Sequence, residues 1–249
     1  MFPIRDHNPS GRTPYVTFAV IAINIGAFLS TFPGMSENEL GWFFVHWGLV
    51  PARIMSGDGY ETVISAMFLH GGWMHLAGNM LFLWIFGDNL EEEMGHLGFL
   101  LFYLAAGAAA AGLQTAADPS SVVPMVGASG AIAGVMGGYL LLFPKAKIDV
   151  LFIFVIFFRI FAIPAWIVLG IWLGIQVFSG LATPSDVGGV AYWAHAGGFI
   201  GGLILTIPVW LRRGAEGFWQ KTQGHPPHPE TDFKASKSNI PLVQRRRRP

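Results

Sequence analysis

The sequence predicts an all-α, polytopic membrane protein built as a bundle of six transmembrane helices. Of its 249 residues, 53% are hydrophobic and only 12% are charged, a composition too apolar for an ordinary soluble domain. Long central stretches carry no charge, whereas four arginines, Arg245 to Arg248, lie at the C-terminal end. Six separate apolar runs approach the ~20 residues that a helix needs to cross a ~30 Å hydrocarbon core.

The six predicted spans cover approximately residues 14–32, 73–90, 97–116, 126–144, 163–181 and 192–211. Residues 1–15 lack the short apolar core and cleavage site of a signal peptide, so we expect the first run to remain as a span. The sequence contains no cysteine, which excludes disulfides, thiolate metal sites and a cysteine nucleophile.

Two further apolar stretches do not fit the pattern of a span. Residues 41–54 read GWFFVHWGLVPARI, which is too short and includes a proline, a histidine and an arginine. We expect this segment to lie along the headgroups, with its tryptophans at the water boundary. Residues 148–161 are rich in β-branched and aromatic residues and could form a further short span. The charged side chains of Lys145, Lys147, Asp149 and Arg159 favour a partly buried connection instead.

The chain divides into three parts: a cytoplasmic segment at residues 1–13, a transmembrane domain at residues 14–213 and a disordered basic tail at residues 214–249. The tail prediction depends mainly on residues 224–249, which are rich in proline, histidine, serine, lysine and arginine. With six spans, both termini share a face with almost all the basic residues, while Arg53 alone lies opposite. The positive-inside rule therefore predicts cytoplasmic termini, and we expect a prokaryotic inner membrane.

Polar residues recur near the N-terminal ends of the second, fourth and sixth spans. These residues are His75 and Asn79, Ser129, and His195. All three spans run in the same direction, so these side chains lie at one depth, roughly 5–10 Å below the outer surface at a rise of ~1.5 Å per residue. Ionisable and polar groups inside a span are unfavourable in lipid and usually face a partner in the bundle interior.

The spacing of glycines indicates that the fourth and sixth spans approach each other closely. Small residues recur at intervals of four along one face of the fourth span, and Gly198 and Gly202 lie on the same face as His195. A serine side chain is short, so it can reach an imidazole on another helix only if the two backbones nearly touch. No acidic residue is placed to orient His195. The residues therefore predict a Ser129–His195 dyad, in which the histidine removes the proton of the serine.

His75 and Asn79 lie four residues apart on one face and can both donate hydrogen bonds towards this dyad. Acyl transfer develops negative charge on a carbonyl oxygen, which fixed donors stabilise. The backbone N–H groups of Ser129 and Gly130, near a helix N-terminus, could add to them. We group Gly127 with these residues as part of the same oxyanion and substrate-binding site.

Three strings in order along the chain resemble the rhomboid family of intramembrane proteases. They read HGGWMHLAGNMLFLWIFG from His70, GASGAIAGVMGG from Gly127 and AHAGGFIGG from Ala194. Gly87, Glu91 and Gly95 match a further spaced pattern of the family. The resemblance implies a six-helix bundle with a water-filled cavity open to the outside. It also implies a serine nucleophile at Ser129, a base at His195, and an oxyanion site at His75 and Asn79.

The sequence departs from the family at two places. Some members carry an aromatic residue one turn after the nucleophile, which stacks on the catalytic histidine, and here that position is Ala133. The Trp–Arg pair of the first external loop in some members is not reproduced by Trp42, Trp47 and Arg53.

The favoured function is therefore a serine endopeptidase that cleaves transmembrane substrate proteins near the outer face of the bilayer. The alternatives are an inactive rhomboid-like binding protein or chaperone, and a transporter or proton relay. A metal site at His70, His75 and His195 is disfavoured, because the sequence has no HExxH motif and no nearby carboxylate. We expect no cofactor and no nucleic-acid partner. Trp166, Trp172 and Gln176 in the fifth span could border a substrate gate, but lipid-facing or packing roles are favoured.

Overall fold

The computed structural model describes residues 2–154, 157–183, 189–227, 229–231 and 233. Across these residues the fold is a bundle of α-helices with a small antiparallel sheet at one end. The helices are α1 (Tyr15–Thr31), α2 (Glu37–Trp47), α3 (Pro51–Met55), α4 (Thr62–Ser65), α5 (Trp73–Met94), α6 (His96–Ala117), α7 (Ser129–Leu142), α8 (Ala165–Ala182), α9 (Tyr192–Arg212) and α10 (Glu216–Thr222). The strands are β1 (Phe2–Asp6), β2 (Lys147–Phe154) and β3 (Phe157–Pro164), in the order β1-β2-β3.

The predicted spans coincide with α1, α5, α6, α7, α8 and α9. Among the described residues, α6, α8, α9, and α1 together with the helical turn that extends it to Gly34 are long and apolar enough to cross a membrane. The helix α7 has only 14 residues, and α5 has 22 residues but carries acidic side chains towards its C-terminal end. The helical multi-pass membrane class is confirmed, whereas the count of six crossings stays a prediction. Residues 41–54 form most of α2 and all but the end of α3, which are too short to cross a bilayer.

The helix α7 lies at the centre of the bundle, and every residue from Gly130 to Tyr139 is buried. It packs against α9 through backbone contacts at glycines. A Cβ added to Gly202 would overlap the carbonyl oxygen of Gly134, and one added to Gly198 would overlap that of Gly130. These overlaps show that the two backbones touch, as the glycine spacing predicts.

The C-terminal end of α5 is joined to the N-terminal end of α1 through the carboxylate of Glu91. This buried side chain accepts hydrogen bonds from the backbone N–H groups of Val16 (2.8 Å) and Thr17 (2.7 Å) and from the Thr17 hydroxyl (2.7 Å). It therefore caps the N-terminus of α1, where Pro14 provides no side-chain cap. A Cβ on Gly87 would come within 2.9 Å of Thr17, and Gly95 ends α5 at a φ of +73°. The spaced Gly87, Glu91 and Gly95 pattern thus joins α5 to α1 and ends α5.

The prediction of an all-α fold misses the small sheet. Residues 148–154 and 157–161 do not form a short span, because they fall within β2 and β3, which pair as an antiparallel hairpin between α7 and α8. The favoured prediction of a partly buried connection is confirmed, since Ile148 and Val150 are buried and Phe158 is exposed. The strand β1 pairs with β2 on the other side. The run is rich in β-branched and aromatic side chains, which favour a strand over a helix. Residues 155 and 156 lie outside the described residues.

Polar contacts join the strands to each other and the sheet to the bundle. Asp149 accepts hydrogen bonds from Arg5 (2.7 Å) and His7 (2.8 Å). Asp6, at the end of β1, accepts a hydrogen bond of 2.6 Å from the hydroxyl of Tyr139 in α7, and burial raises the pKa of Asp6 to about 8. The N-terminal segment is thus linked directly to the C-terminal end of α7.

The prediction of a disordered tail beginning at residue 214 is wrong for its first part. Residues 216–222 form α10, in which Phe218 is buried and the indole of Trp219 donates to the carbonyl oxygen of Leu141 (3.0 Å). Further along, the backbone N–H of Thr231 donates to the carbonyl oxygen of His7 (3.0 Å). Two aromatic side chains provide enough apolar surface to hold this segment on the bundle, which an averaged composition does not reveal. Residues 234–249 lie outside the described residues, where disorder stays a prediction.

We predict that Gly202→Leu destabilises the protein, because its side chain would push α9 away from the backbone of Gly134. Overpacking of ~1–3 kcal/mol corresponds to a decrease in Tm of roughly 5–10 °C for a domain of this size. The measurement is thermal unfolding of the purified protein in detergent. Gly26→Ala is the control: it lies within α1 with open space around the added methyl group, so its Tm should stay near that of the parent. An unchanged Tm in Gly202→Leu would contradict the backbone contact.

Candidate active site

A cavity of about 590 Å³ lies at the N-terminal ends of α5, α7 and α9. It contains Ser129, His195, His75 and Asn79 together, so the structure brings the predicted site residues to one place. The remaining walls are mostly apolar, and no Asp, Glu, Lys or Arg lines the cavity among the described residues. The lining residues are Gly71, Met74, His75, Gly78, Asn79, Phe82, Pro124, Met125, Val126, Ser129, Ile132, Ala133, Met136, Trp172, Gly189, Val190, Ala191 and His195.

The side chains of Ser129 and His195 are hydrogen-bonded across the interface of α7 and α9. The Ser129 Oγ lies 2.8 Å from the His195 Nε2, a distance at which a proton can pass from hydroxyl to imidazole. Ser129 is the first residue of α7, and the segment before it is held by reciprocal backbone hydrogen bonds between Leu49 and Met125. His195 is in the first turn of α9. Both side chains therefore project from helix N-termini whose positions are fixed by main-chain contacts.

Hydrogen-bond donors without partners lie beside this pair. The side-chain nitrogen of Asn79 is buried and has no hydrogen-bond partner among the residues that the structure describes. The residue before α7 is Ala128, whose methyl side chain cannot cap the first N–H groups of the helix. An oxygen atom placed in the cavity next to Ser129 could accept hydrogen bonds from both sources.

Gly127 shapes the boundary between His75 and the start of α7. Its φ of +130° is a conformation that other residues rarely adopt, and an added Cβ would lie 2.7 Å from the Nε2 of His75. Its backbone N–H donates to the carbonyl oxygen of Ala66 (2.9 Å). The His75 ring also lies 5.1 Å from the buried ring of His70. Gly127 is thus required for close approach of the backbone to His75.

Two side chains from α8 complete the surroundings of His195, and the sequence favours other roles for both. The Oε1 of Gln176 lies 2.7 Å from His195 Nδ1, and the Trp172 ring centroid lies 5.6 Å from that of His195. They are one helical turn apart; Trp172 lines the cavity, and Gln176 lies behind the imidazole, on the side away from Ser129. The sequence signal that could have revealed this contact is Gln176 itself, because an amide in an otherwise apolar span usually has a polar partner in the bundle interior. Trp172 provides the aromatic contact that Ala133 cannot.

The residues of the first external loop do not reach the cavity. Trp42 is 66% exposed and Trp47 is 42% exposed. Arg53 donates to the carbonyl oxygens of Val45 (3.1 Å) and His46 (3.2 Å), and it pairs with Asp58 at 3.2 Å. This arginine therefore braces α2 against α3.

Fold and site together define a class: a multi-pass helical membrane protein with a hydrogen-bonded serine and histidine in a cavity at the N-terminal ends of its helices. A family model described as the Rhomboid domain matches residues 58–212, which is well over half of the chain. The chain belongs to the rhomboid family.

Relatives from several organisms match the same region. Rhomboid protein 1, mitochondrial, from Saccharomyces cerevisiae is 32% identical over 200 residues, covering 76% of this chain and 51% of that protein. Rhomboid protease GluP from Bacillus subtilis is 30% identical over 197 residues, covering 78% of this chain and 36% of that protein. Rhomboid-like protein 11, chloroplastic, from Arabidopsis thaliana is 32% identical over 117 residues, covering 47% of this chain and 38% of that protein.

The matched region is about a third to a half of the length of each of these relatives. One of these relatives is named as mitochondrial, one as chloroplastic, and the third comes from a bacterium. Family membership therefore shows that this chain is an integral membrane protein. Its location in a prokaryotic inner membrane stays a prediction.

We predict that Gly127→Ala slows the reaction of Ser129 with a fluorophosphonate probe by at least about tenfold. The methyl group would displace His75 and strain a backbone conformation, at ~1–3 kcal/mol for such strain. The measurement is the rate of covalent labelling at fixed probe concentration. Gly78→Ala also lines the cavity but has open space around its added Cβ, so it should react at about the parent rate. Equal rates for both variants and the parent would show that Gly127 does not shape the site.

Proposed function

We propose that the protein is an intramembrane serine endopeptidase that cleaves transmembrane substrate proteins near the outer face of the membrane. The observation that carries this proposal is the 2.8 Å hydrogen bond between Ser129 and His195 inside a cavity at the N-terminal ends of three helices. Membership of the rhomboid family supports it, and one relative, GluP, is named a protease. An inactive binding protein is less well supported, because serine and base are both present and in contact.

The chemistry follows from the positions of the two side chains. The Nε2 of His195 accepts the proton of the Ser129 hydroxyl as its oxygen attacks the carbonyl carbon of a substrate peptide bond. His195 then gives that proton to the leaving amine, and an acyl-enzyme on Ser129 remains. A water molecule, activated by the same histidine, hydrolyses the ester and regenerates the hydroxyl.

The tetrahedral intermediate carries negative charge on the former carbonyl oxygen. In this proposal the side-chain amide of Asn79, His75 and the first N–H groups of α7 donate to that oxygen. The unpartnered, buried nitrogen of Asn79 supports this role, since a buried donor without a partner is unfavourable unless a ligand satisfies it. A helix N-terminus also stabilises negative charge through its dipole.

The surroundings of the cavity favour a substrate that arrives from the bilayer. Most of its lining is apolar, so an extended segment of a hydrophobic substrate can be accommodated beside Ser129. The polar lining residues His75, Asn79, Ser129 and His195 come from the first two turns of α5, α7 and α9. By the distribution of basic residues, these turns are at the outer end, which predicts cleavage near the outer boundary of the substrate's span.

The first test compares the parent with Ser129→Ala, His195→Ala and the double variant. Each should lose cleavage of a panel of labelled transmembrane segments while keeping the parent Tm. The double variant should be scarcely worse than either single one, because the two groups act as a unit. A fluorophosphonate should label the parent and fail to label Ser129→Ala. Equal labelling of parent and alanine variant, or additive losses, would refute the dyad.

The second test concerns Asn79→Ala. Removing one preorganised donor typically lowers kcat ~10²–10³-fold, and the backbone donors of α7 should reduce that loss to about 10–100-fold. The decrease should appear in kcat more than in KM, because the hydrogen bond strengthens in the transition state. Asn24→Ala is the control, since Asn24 is buried in α1, outside the cavity lining. A rise in KM with unchanged kcat would assign Asn79 to substrate binding instead.

A further inference from the structure

The imidazole of His195 is held on the side opposite Ser129 by a neutral amide. The Gln176 Oε1 lies 2.7 Å from His195 Nδ1, while the Ser129 Oγ lies 2.8 Å from Nε2. We propose that Gln176 is a positioning residue, which keeps the proton of His195 on Nδ1 and so leaves Nε2 free to accept the serine proton. This role rests on the proposed function and adds a third residue to its machinery.

A base that accepts at Nε2 must carry its own hydrogen on Nδ1, since neutral imidazole has one donor and one acceptor nitrogen. A carbonyl oxygen facing Nδ1 selects this tautomer, because it can accept a hydrogen bond but cannot donate one. An amide nitrogen in the same position would donate to Nδ1 and force the hydrogen onto Nε2. The imidazole could then no longer take the proton from Ser129.

The orientation of the Gln176 amide is set within α8 itself. Its Nε2 donates to the backbone carbonyl oxygen of Trp172, one turn earlier, at 3.4 Å. Because that carbonyl accepts only, it attracts the nitrogen end of the amide and leaves the oxygen directed at His195. Gln176 is 7% exposed, so water cannot readily replace either contact.

Trp172 restricts the same imidazole from a second direction. Its ring lies 5.6 Å from the His195 ring, tilted by 35°, and also stacks on Phe199 in α9. One turn of α8 therefore fixes both the rotation of the imidazole and the position of its hydrogen.

A neutral amide suits this location better than a carboxylate. No Asp, Glu, Lys or Arg among the described residues lines the cavity, and an ionised side chain inside a membrane span is strongly disfavoured unless it is paired. Glutamine supplies the acceptor without a net charge. The absence of an acidic residue near His195 in the sequence is therefore compatible with a histidine that is oriented by a third group.

The test uses three substitutions at one position in the full-length protein. Gln176→Leu removes the acceptor, Gln176→Asn keeps an amide that is too short to reach Nδ1, and Gln176→Glu keeps an oxygen at the same reach. Ile175→Leu is the control, because Ile175 is the neighbouring residue on α8 and is 52% exposed. For each variant, kcat and KM are measured on one labelled transmembrane segment that the parent cleaves, together with the rate of fluorophosphonate labelling and the Tm.

We expect Gln176→Leu and Gln176→Asn to lower kcat and the labelling rate by about 10–100-fold, since a buried donor is left without its acceptor. Their KM should change by less than about threefold. Gln176→Glu should recover most of the lost rate, because a carboxyl oxygen at the same reach can accept from Nδ1 whether the group is neutral or ionised. Ile175→Leu should match the parent. If Gln176→Leu fails to fold, the proposal is tested by the other two variants: Gln176→Asn should be slow and Gln176→Glu should be close to the parent.

Parent kinetics in Gln176→Leu or Gln176→Asn would overturn the proposal, as would a change confined to KM. A glutamate variant with the parent Tm but no recovered rate would overturn it as well. Failure of the proposed function gives a different result: the parent itself would neither cleave nor label in a manner that depends on Ser129.

Discussion

The contact between the backbones of α7 and α9 is the constraint on which the site depends. Ser129 has one of the shortest polar side chains, so its distance from His195 is set almost entirely by how closely the two helices approach. Glycines at Gly130 and Gly134 face glycines at Gly198 and Gly202, with no room for a Cβ at the two α9 positions. The geometry of the pair is thus determined by main chain against main chain, which is stiffer than contact between long, flexible side chains.

The opposite end of the bundle is held by polar contacts that serve the same geometry indirectly. Glu91 caps α1 from α5, and Tyr139 joins α7 to Asp6 of β1. These contacts fix the axial positions of α5 and α7 at the end remote from the cavity. At their other ends the two helices place Asn79 and Ser129 in the wall of one cavity. The polar contacts at the C-terminal ends of α5 and α7 hold the bundle together, whereas the polar side chains at their N-terminal ends form the candidate active site.

Sequence reasoning predicted the helices and the Ser129–His195 pair well, because hydropathy, glycine spacing and polar residues near span ends are all local signals. It missed the sheet, since β1 and β2 pair across a long separation: Arg5 and Asp149 are 144 residues apart. It also did not place Gln176 and Trp172 against His195, although a packing role was among those it favoured. The rotation of α8 about its axis decides which side chains face the cavity, and that helix is apolar on all sides, so no amphipathic pattern reveals its orientation. The tail was misread because two aromatic residues outweigh an otherwise polar composition.

The contact of His7 with Thr231 and Phe233 bears on how many times the polypeptide crosses the bilayer between them. His7 and Thr231 exchange two hydrogen bonds, and the ring of Phe233 packs against that of His7. Segments in such contact lie on one face of the membrane. Between two segments on the same face, the polypeptide crosses the bilayer an even number of times, whatever the hydropathy of any single helix. If α1, α6, α8 and α9 all cross, the short α7 and the less apolar α5 then either both cross or both do not.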